Sequence, residues 1–301
     1  MTDYGHDLVF GAVLEVGQRR PLEVLELAGV CERAGLDMVS VVDHPCWSER
    51  LDTLTLLTAI ASRTCRVRLL VNVAGLPLRP SAMVARVAAT VDLVSGGRLE
   101  LGIGAGDAMS WDVVVAEGGR GWGAGESVEA LDEAVGVIRG WWARAGGRCG
   151  LGCGGQSLGA GRDIGIWLGA HGPGMLRLTG RVADGWVPSS WVLPTERLPA
   201  ANAVIDAAAV DVGRSPREIR RGYNIEGDFT ARCGFLKGPP AVWVEQLTEL
   251  TLEQGFSAYL LDRIGSADVI RRFAAEVAPA VRAAVNAERT HRARIPMTQD
   301  H

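Results

Sequence analysis

Eight short apolar, β-rich runs recur along this chain, and helix-patterned segments separate them. The runs are Leu8–Leu14, Met38–Asp43, Val67–Ala74, Leu99–Ala105, Ile164–Ala170, Gly185–Ser189, Ile219–Phe229 and Phe256–Asp262. Helical stripes fall between them, with Val24, Leu25, Ala28 and Cys31 on one face of the first and Met83, Val87, Val91 and Val94 on one face of the third. Further helices are expected at Thr53–Arg63, Glu126–Arg144, Pro173–Val182, Thr195–Val212, Ala241–Gln254 and Ala267 to about Arg289, the last with Ile270, Phe273, Val277 and Val281 aligned. Eight strand-then-helix repeats in 301 residues fit a (β/α)8 TIM barrel. An open doubly wound sheet is the alternative, but such sheets rarely sustain eight uninterrupted repeats.

Two stretches interrupt the alternation, as loop insertions after strand 4 (Asp107–Gly125) and before strand 5 (Ala145–Arg162). The second is too rich in glycine to pack a core and reads as a linker or a lid. The barrel domain is expected over residues 1–289, with a disordered polar tail at 290–301.

Composition narrows the class of partner. Hydrophobic content of 48% with 22% charged residues describes an ordinary globular protein. A net charge of −4 gives no general reason to expect nucleic acid. No apolar run is long enough to span a bilayer, and the amino terminus lacks a secretory pattern, so a cytoplasmic location is expected. The six cysteines are then free thiols. Cys149 and Cys153 have no nearby histidine or second cysteine pair to complete a metal set, so no metal site is expected.

In a barrel of this kind the chemistry sits at the carboxyl ends of the strands. The segment SGGRLELGIGAGD, Ser95 to Asp107, is the most informative: Leu99, Leu101 and Ile103 share one parity, and Gly102 and Gly104 share the other. One face of this strand is therefore built to pack, and the other lets something approach the backbone. Strand 2 ends in Asp43-His44-Pro45-Cys46-Trp47, and His44 is the one histidine that sits at a strand end directly beside a carboxylate. A histidine there suits proton transfer, with Asp43 or Asp107 orienting it or acting as a second acid, and turn capping is the competing role. Strand 5 runs through Ala170, His171, Gly172, Pro173, Gly174 and Met175 straight into a helix. Backbone N–H groups at such a start favour an anion, with Ser189 or Ser190 as further donors; the simpler role is helix initiation. Cys46 is a weaker nucleophile candidate. Trp47, Trp111 and Trp191 are core or lid aromatics, or contacts for a flat ring system.

Taken together, VVDHP at Val41–Pro45, the stretch Leu76–Asp107, the stretch Ile164–Ser190 and VWVEQLTEL at Val242–Leu250 resemble the bacterial luciferase-like monooxygenase superfamily. The similarity is greatest to its coenzyme F420-dependent oxidoreductases. It implies a barrel, a homodimer, and a deazaflavin or flavin bound at the carboxyl ends of the strands. Asp43 and His44 would then lie beside the ring, with His44 as base. Asn72, Val73 and Ala74 would match a third-strand end that often carries a non-proline cis peptide. Gly106 and Asp107 would match a ring-side loop, with Asp107 the partner acid, and Ala170 to Met175 the phosphate cradle. The implied activity is hydride transfer between F420 and a small organic substrate. The alternatives are an FMNH2-dependent monooxygenase and a flavin-binding protein without catalysis. A sugar phosphate is disfavoured, because Lys237 is the only lysine.

Overall fold

The computed structural model describes residues 2–15, 20–44, 51–106, 110–144, 164–230, 233–264 and 266–294. The strands are β1 (Val9–Leu14), β2 (Met38–Val41), β3 (Arg68–Gly75), β4 (Leu99–Gly104), β5 (Ile166–Leu168), β6 (Gly185–Trp186), β7 (Arg220–Ile225) and β8 (Phe256–Leu261). Each pairs in parallel with its successor and β8 returns to β1, so the sheet is a closed barrel in chain order. Closure leaves no open edge and rules out the open doubly wound sheet. The helices are α1 (Pro21–Ala34), α2 (Thr53–Ala61), α3 (Ser81–Ser95), α4 (Trp111–Ala116), α5 (Ala124–Arg144), α6 (Pro173–Val182), α7 (Leu198–Asp211), α8 (Pro240–Gln254), α9 (Ala267–Arg272) and α10 (Ala278–Arg294).

Strand alternation divides the core into two layers. Leu99, Leu101 and Ile103, with their counterparts on the other strands, pack outward against the helices in one continuous cluster. The opposite parity fills the lumen with Val13, Met38, Leu70, Trp167, Val187, Ala258 and Leu260. Trp167 is the largest of these. A Cβ at Gly185 would strike its indole, and one at Gly222 would come within 2.7 Å. Two glycines thus make room for one bulky plug. Its Nε1 donates to Glu100 Oε2 at 3.0 Å, and Glu100 in turn pairs with Arg68 near the amino-terminal end of the barrel.

Four expectations shift. The insertion after β4 holds a helix, α4. In α3 the buried side is Val84, Ala85, Ala88, Ala89 and Val91, whereas Met83 and Val94 are exposed. Close approach decides this face, because Trp142 of α5 lies down on α3 and donates through Nε1 to the carbonyl of Ala85. The carboxyl-terminal helix is broken by a five-residue π-helical segment at Phe273–Val277. Ile270, Phe273, Val277 and Val281 are nevertheless all buried, as the stripe predicts. Finally, α10 extends to Arg294, beyond the Arg289 boundary expected for the tail.

Candidate active site

The strand ends meet over a polar floor. Asn72 on β3 and Asn224 on β7 face each other across the lumen, and their amides pair reciprocally: Asn72 Nδ2 donates to Asn224 Oδ1 at 2.8 Å, and Asn224 Nδ2 to Asn72 Oδ1 at 3.3 Å. Asn72 Nδ2 also reaches Ser40 Oγ on β2 at 3.4 Å, and Asn224 Nδ2 reaches Ser189 Oγ, just past β6, at 3.1 Å. Ser40, Asn72 and Asn224 are all buried. Buried polar side chains that satisfy one another in this way fix a single arrangement.

The peptide between Asn72 and Val73 is cis, at the position the resemblance implies. The β3–β4 register shifts between Val71 and Ala74, around this bond. Here the glycines of β4 find their partner. A Cβ on Gly102 would collide with the Val71 carbonyl, and one on Gly104 would come within 2.7 Å of Val73 Cγ2. The close approach inferred for that strand face is therefore made by β3 itself. Gly106, with φ of 75°, admits the ring of Trp111 in the same manner, since its Cβ would lie 2.8 Å from the indole.

At the end of β2, Asp43 is half-buried and occupied. Its Oδ2 accepts from Gly75 N at 3.1 Å and Arg79 Nε at 3.2 Å, and its Oδ1 from Arg79 Nη2 at 3.1 Å. Arg79 also reaches Asp52, at the amino terminus of α2, at 2.7 Å. Burial works against the Arg79 charge, but Asp43 and Asp52 outweigh it and hold the guanidinium more firmly protonated. Asp43 thus ties the end of β2 to the end of β3, and His44 follows it half-buried at the rim. Asp107, Pro45, Cys46, Trp47, Cys149 and Cys153 lie outside the described residues.

Across the mouth, β5 is followed by Gly169 and Ala170, and the Ala170 carbonyl accepts from Trp186 Nε1 at 2.9 Å. Gly172 is the N-cap of α6 with no side-chain cap, and Pro173 opens the helix. His171, Gly172 and Pro173 are exposed, and a Cβ at Gly172 would meet nothing within 4 Å. Crowding around the His171 imidazole, with Arg197 as a second cause, holds it below the ordinary histidine value. Past β6, Ser189 and Ser190 are half-buried, and Ser190 Oγ accepts from Glu226 N at 3.3 Å.

Arg79, Asn224 and Asp262 are site residues the sequence reading passed over. Asn72 and Asn224 are the polar members of otherwise buried strand ends, which is the signal that marks them. Asp262 follows β8, and burial pushes its carboxyl up to about 6, with Glu15 and Glu226 adding repulsion. Arg263 pairs with Glu226 at 2.7 Å and lies over the exposed ring of Trp191, 5.4 Å from its centroid. A groove of about 740 Å3 between α8 and α10 is on the outside of the barrel, away from these groups. Among the described residues no His, Cys, Asp and Glu set is grouped to hold a metal.

A closed parallel barrel with its polar and catalytic-type residues gathered at the strand carboxyl ends defines an enzyme-type TIM barrel. The chain belongs to the luciferase-like monooxygenase family, whose model matches residues 9–226. It is 30% identical over 203 residues to 5,10-methylenetetrahydromethanopterin reductase of Methanolobus tindarius, covering 66% of this chain and 59% of that protein. It is 36% identical over 191 residues to phthiodiolone/phenolphthiodiolone dimycocerosates ketoreductase of Mycobacterium sp. (strain JLS), covering 56% and 46%. The chain thus spans about half the length of these curated relatives. Among solved structures it is similar to the coenzyme F420-dependent tetrahydromethanopterin reductase of Methanopyrus kandleri, with a TM-score of 0.72, 19% identity and coverage of 91% and 99%. A 3,6-diketocamphane monooxygenase constituent from Pseudomonas putida, in complex with FMN, gives 0.71, 16%, 91% and 99%. These two likenesses show the fold.

Proposed function

We propose that this protein is an oxidoreductase that transfers a hydride between coenzyme F420 and a small organic substrate. The carrying observation is the mouth itself: His44 on one rim, the uncapped glycine start of α6 on the other, and a satisfied amide floor between them. Similarity to 5,10-methylenetetrahydromethanopterin reductase and, in fold, to the coenzyme F420-dependent tetrahydromethanopterin reductase supports F420 as the cofactor.

The residues present fit such a group. The first turn of α6 has N–H groups with no side-chain acceptor, and open space lies over Gly172. An anion is stabilised at such a helix start by the dipole and the unpaired donors. Ala170 to Met175 would hold the phosphate with Ser189 and Ser190, and Asn72, Val73, Ala74, Asp43 and Gly106 would border the ring. When bound, the deazaflavin supplies the two-electron chemistry.

The chain supplies position and proton handling. Asp43, clamped by Arg79, fixes the strand end from which His44 projects. In the oxidative direction His44 takes the proton from the substrate hydroxyl at an imidazole nitrogen, with Asp107 as partner acid. The proposal includes a homodimer and a cytoplasmic location; no helix among the described residues is long and apolar enough to cross a membrane.

Titration of the purified protein with F420, FMN and reduced FMN tests this reading. Saturable F420 binding with turnover on a panel of alcohols and carbonyls supports it. FMN binding without any F420 signal transfers the assignment to an FMNH2-dependent monooxygenase, and binding without turnover to a non-catalytic flavin protein. His44→Ala should lower kcat by about 10²- to 10⁴-fold, the usual contribution of a positioned proton-transfer group, and leave cofactor affinity near wild type. Near-wild-type turnover would remove His44 from the mechanism.

A further inference from the structure

We propose that Asn224 is a positioning residue for the cofactor: it holds the Ser189 hydroxyl so that its hydrogen is directed to a bound phosphate. This rests on the reading that a phosphate-bearing ring occupies the barrel mouth.

Donor arithmetic on the floor carries the argument. An amide side chain has two N–H donors, and a hydroxyl has one donor and two lone pairs. Both donors of Asn224 are committed, one to Asn72 Oδ1 at 3.3 Å and one to Ser189 Oγ at 3.1 Å. Both donors of Asn72 are likewise committed, to Asn224 Oδ1 at 2.8 Å and Ser40 Oγ at 3.4 Å. The floor therefore has no amide N–H left to offer a ligand. Ser189 accepts from Asn224 through its oxygen, so its O–H remains as the donor, and Ser189 is the half-buried member of the set, at the rim.

The backbone makes the same attachment. Ser189 bridges Asn224 in parallel, Asn224 N donates to the Pro188 carbonyl at 2.9 Å, and Ser190 N donates to the Asn224 carbonyl at 2.9 Å. These two bonds make the bridge, and with the Nδ2 bond to Ser189 Oγ one residue of β7 holds the segment after β6 by three hydrogen bonds. Fixing the Ser189 hydroxyl before the ligand arrives avoids an ordering cost at binding. Ser40 is fully buried, and Asn72 and Asn224 nearly so, which leaves Ser189 as the point where this network meets the mouth.

A double-mutant cycle with the cofactor-free protein tests the assignment. Binding of whichever of F420 and FMN the wild type takes is measured for Asn224→Ala, Ser189→Ala and the double variant, alongside the thermal midpoint of each without cofactor. Each single variant should weaken binding about ten- to a hundredfold, as expected for one hydrogen bond to a charged group. The double variant should be no weaker than Asn224→Ala to within about twofold, since a hydroxyl already misdirected has nothing more to lose. Ser189→Thr, which keeps the hydroxyl, should bind like the wild type. Asn224→Asp keeps the shape without the N–H donors and should match Asn224→Ala; if its buried charge prevents folding, Asn224→Ala carries the test alone. A Ser189→Ala effect that is absent, or equally large with and without Asn224, overturns the proposal. Wild type that binds neither F420 nor FMN overturns the underlying reading and this inference with it. Binding with an additive cycle removes only the role of Asn224.

Discussion

Asp262 is the side chain whose ionisation the fold opposes most plainly at the mouth. It follows β8, with Glu15 after β1 and Glu226 after β7 as its charged neighbours, and burial raises its carboxyl from the ordinary 3.8 to about 6. Between those two values the folded chain holds a proton that the unfolded chain has released, so stability falls as pH rises across this window. Below about pH 4 both states are protonated and the penalty vanishes; above about pH 6 it is fully present. The rise corresponds to on the order of 3 kcal/mol. Asp262→Asn should therefore be more stable than the wild type at pH 7.5 by about that amount, and the gap should close as the pH falls to about 4. Thermal unfolding followed between pH 4 and 8 checks this. A variant no more stable at pH 7.5 would show that Arg263 neutralises the site, since it lies beside Asp262 while paired to Glu226.

At the scale of elements, the meeting of β3 and β4 sets the shape of the mouth. Gly104 and Gly102 look alike in the sequence but oppose different atoms: Gly104 faces the side chain of Val73, and Gly102 faces the backbone carbonyl of Val71. Gly104→Ala should destabilise the fold by about 1–3 kcal/mol through overpacking, and Val73→Ala should relieve most of that cost in the double variant. Gly102→Ala should be costlier, and Val73→Ala should not rescue it, because a carbonyl in the barrel ladder cannot step aside. Chemical denaturation of the three single and two double variants decides between these outcomes. The same pair shows what was legible in the sequence. The alternation LELGIG identifies a strand with one face open to close approach, and that reading holds. The identity of what approaches depends on a β3 register shift, and Leu-Leu-Val-Asn-Val-Ala-Gly does not encode that shift by any local pattern. The strand order followed from the alternation of elements, and the rim residues His44, Ala170 to Met175 and Ser189 followed from the strand ends. Asn224 did not, because its role arises from a partner 152 positions away. The α3 face failed for a related reason: large aliphatics drew the stripe, whereas close helix contact selects alanines and leaves Met83 outside.

On the scale of the whole molecule, the two ends of the barrel are made of different materials. The carboxyl end carries the amide floor and the rim groups, and the amino end carries a buried ionic seam. Arg221, fully buried at the start of β7, donates to Asn202 Oδ1 at 2.9 Å, the Ile219 carbonyl at 2.7 Å and Asp206 Oδ1 at 2.6 Å. Tyr4 closes the set, donating to Asp206 at 2.7 Å and lying beneath the guanidinium, 4.8 Å from its ring centroid. The seam joins the beginning of the chain to α7 and β7. Removing one partner of such a buried pair leaves an unpaired charge or donor and costs about 3–5 kcal/mol, whereas removing both partners costs less. Arg221→Met should therefore lose that much stability, and Arg221→Met combined with Asp206→Leu should recover part of it. Cofactor affinity should stay at the wild-type value in both variants at a temperature where they remain folded, because nothing at the mouth contacts the seam. His44→Ala should show the converse, near-wild-type stability with lost turnover. Equilibrium unfolding and cofactor titration on the same preparations check the division. If Arg221→Met weakens cofactor binding in step with stability, the two ends of the barrel are one cooperative unit and not a scaffold with a separable mouth.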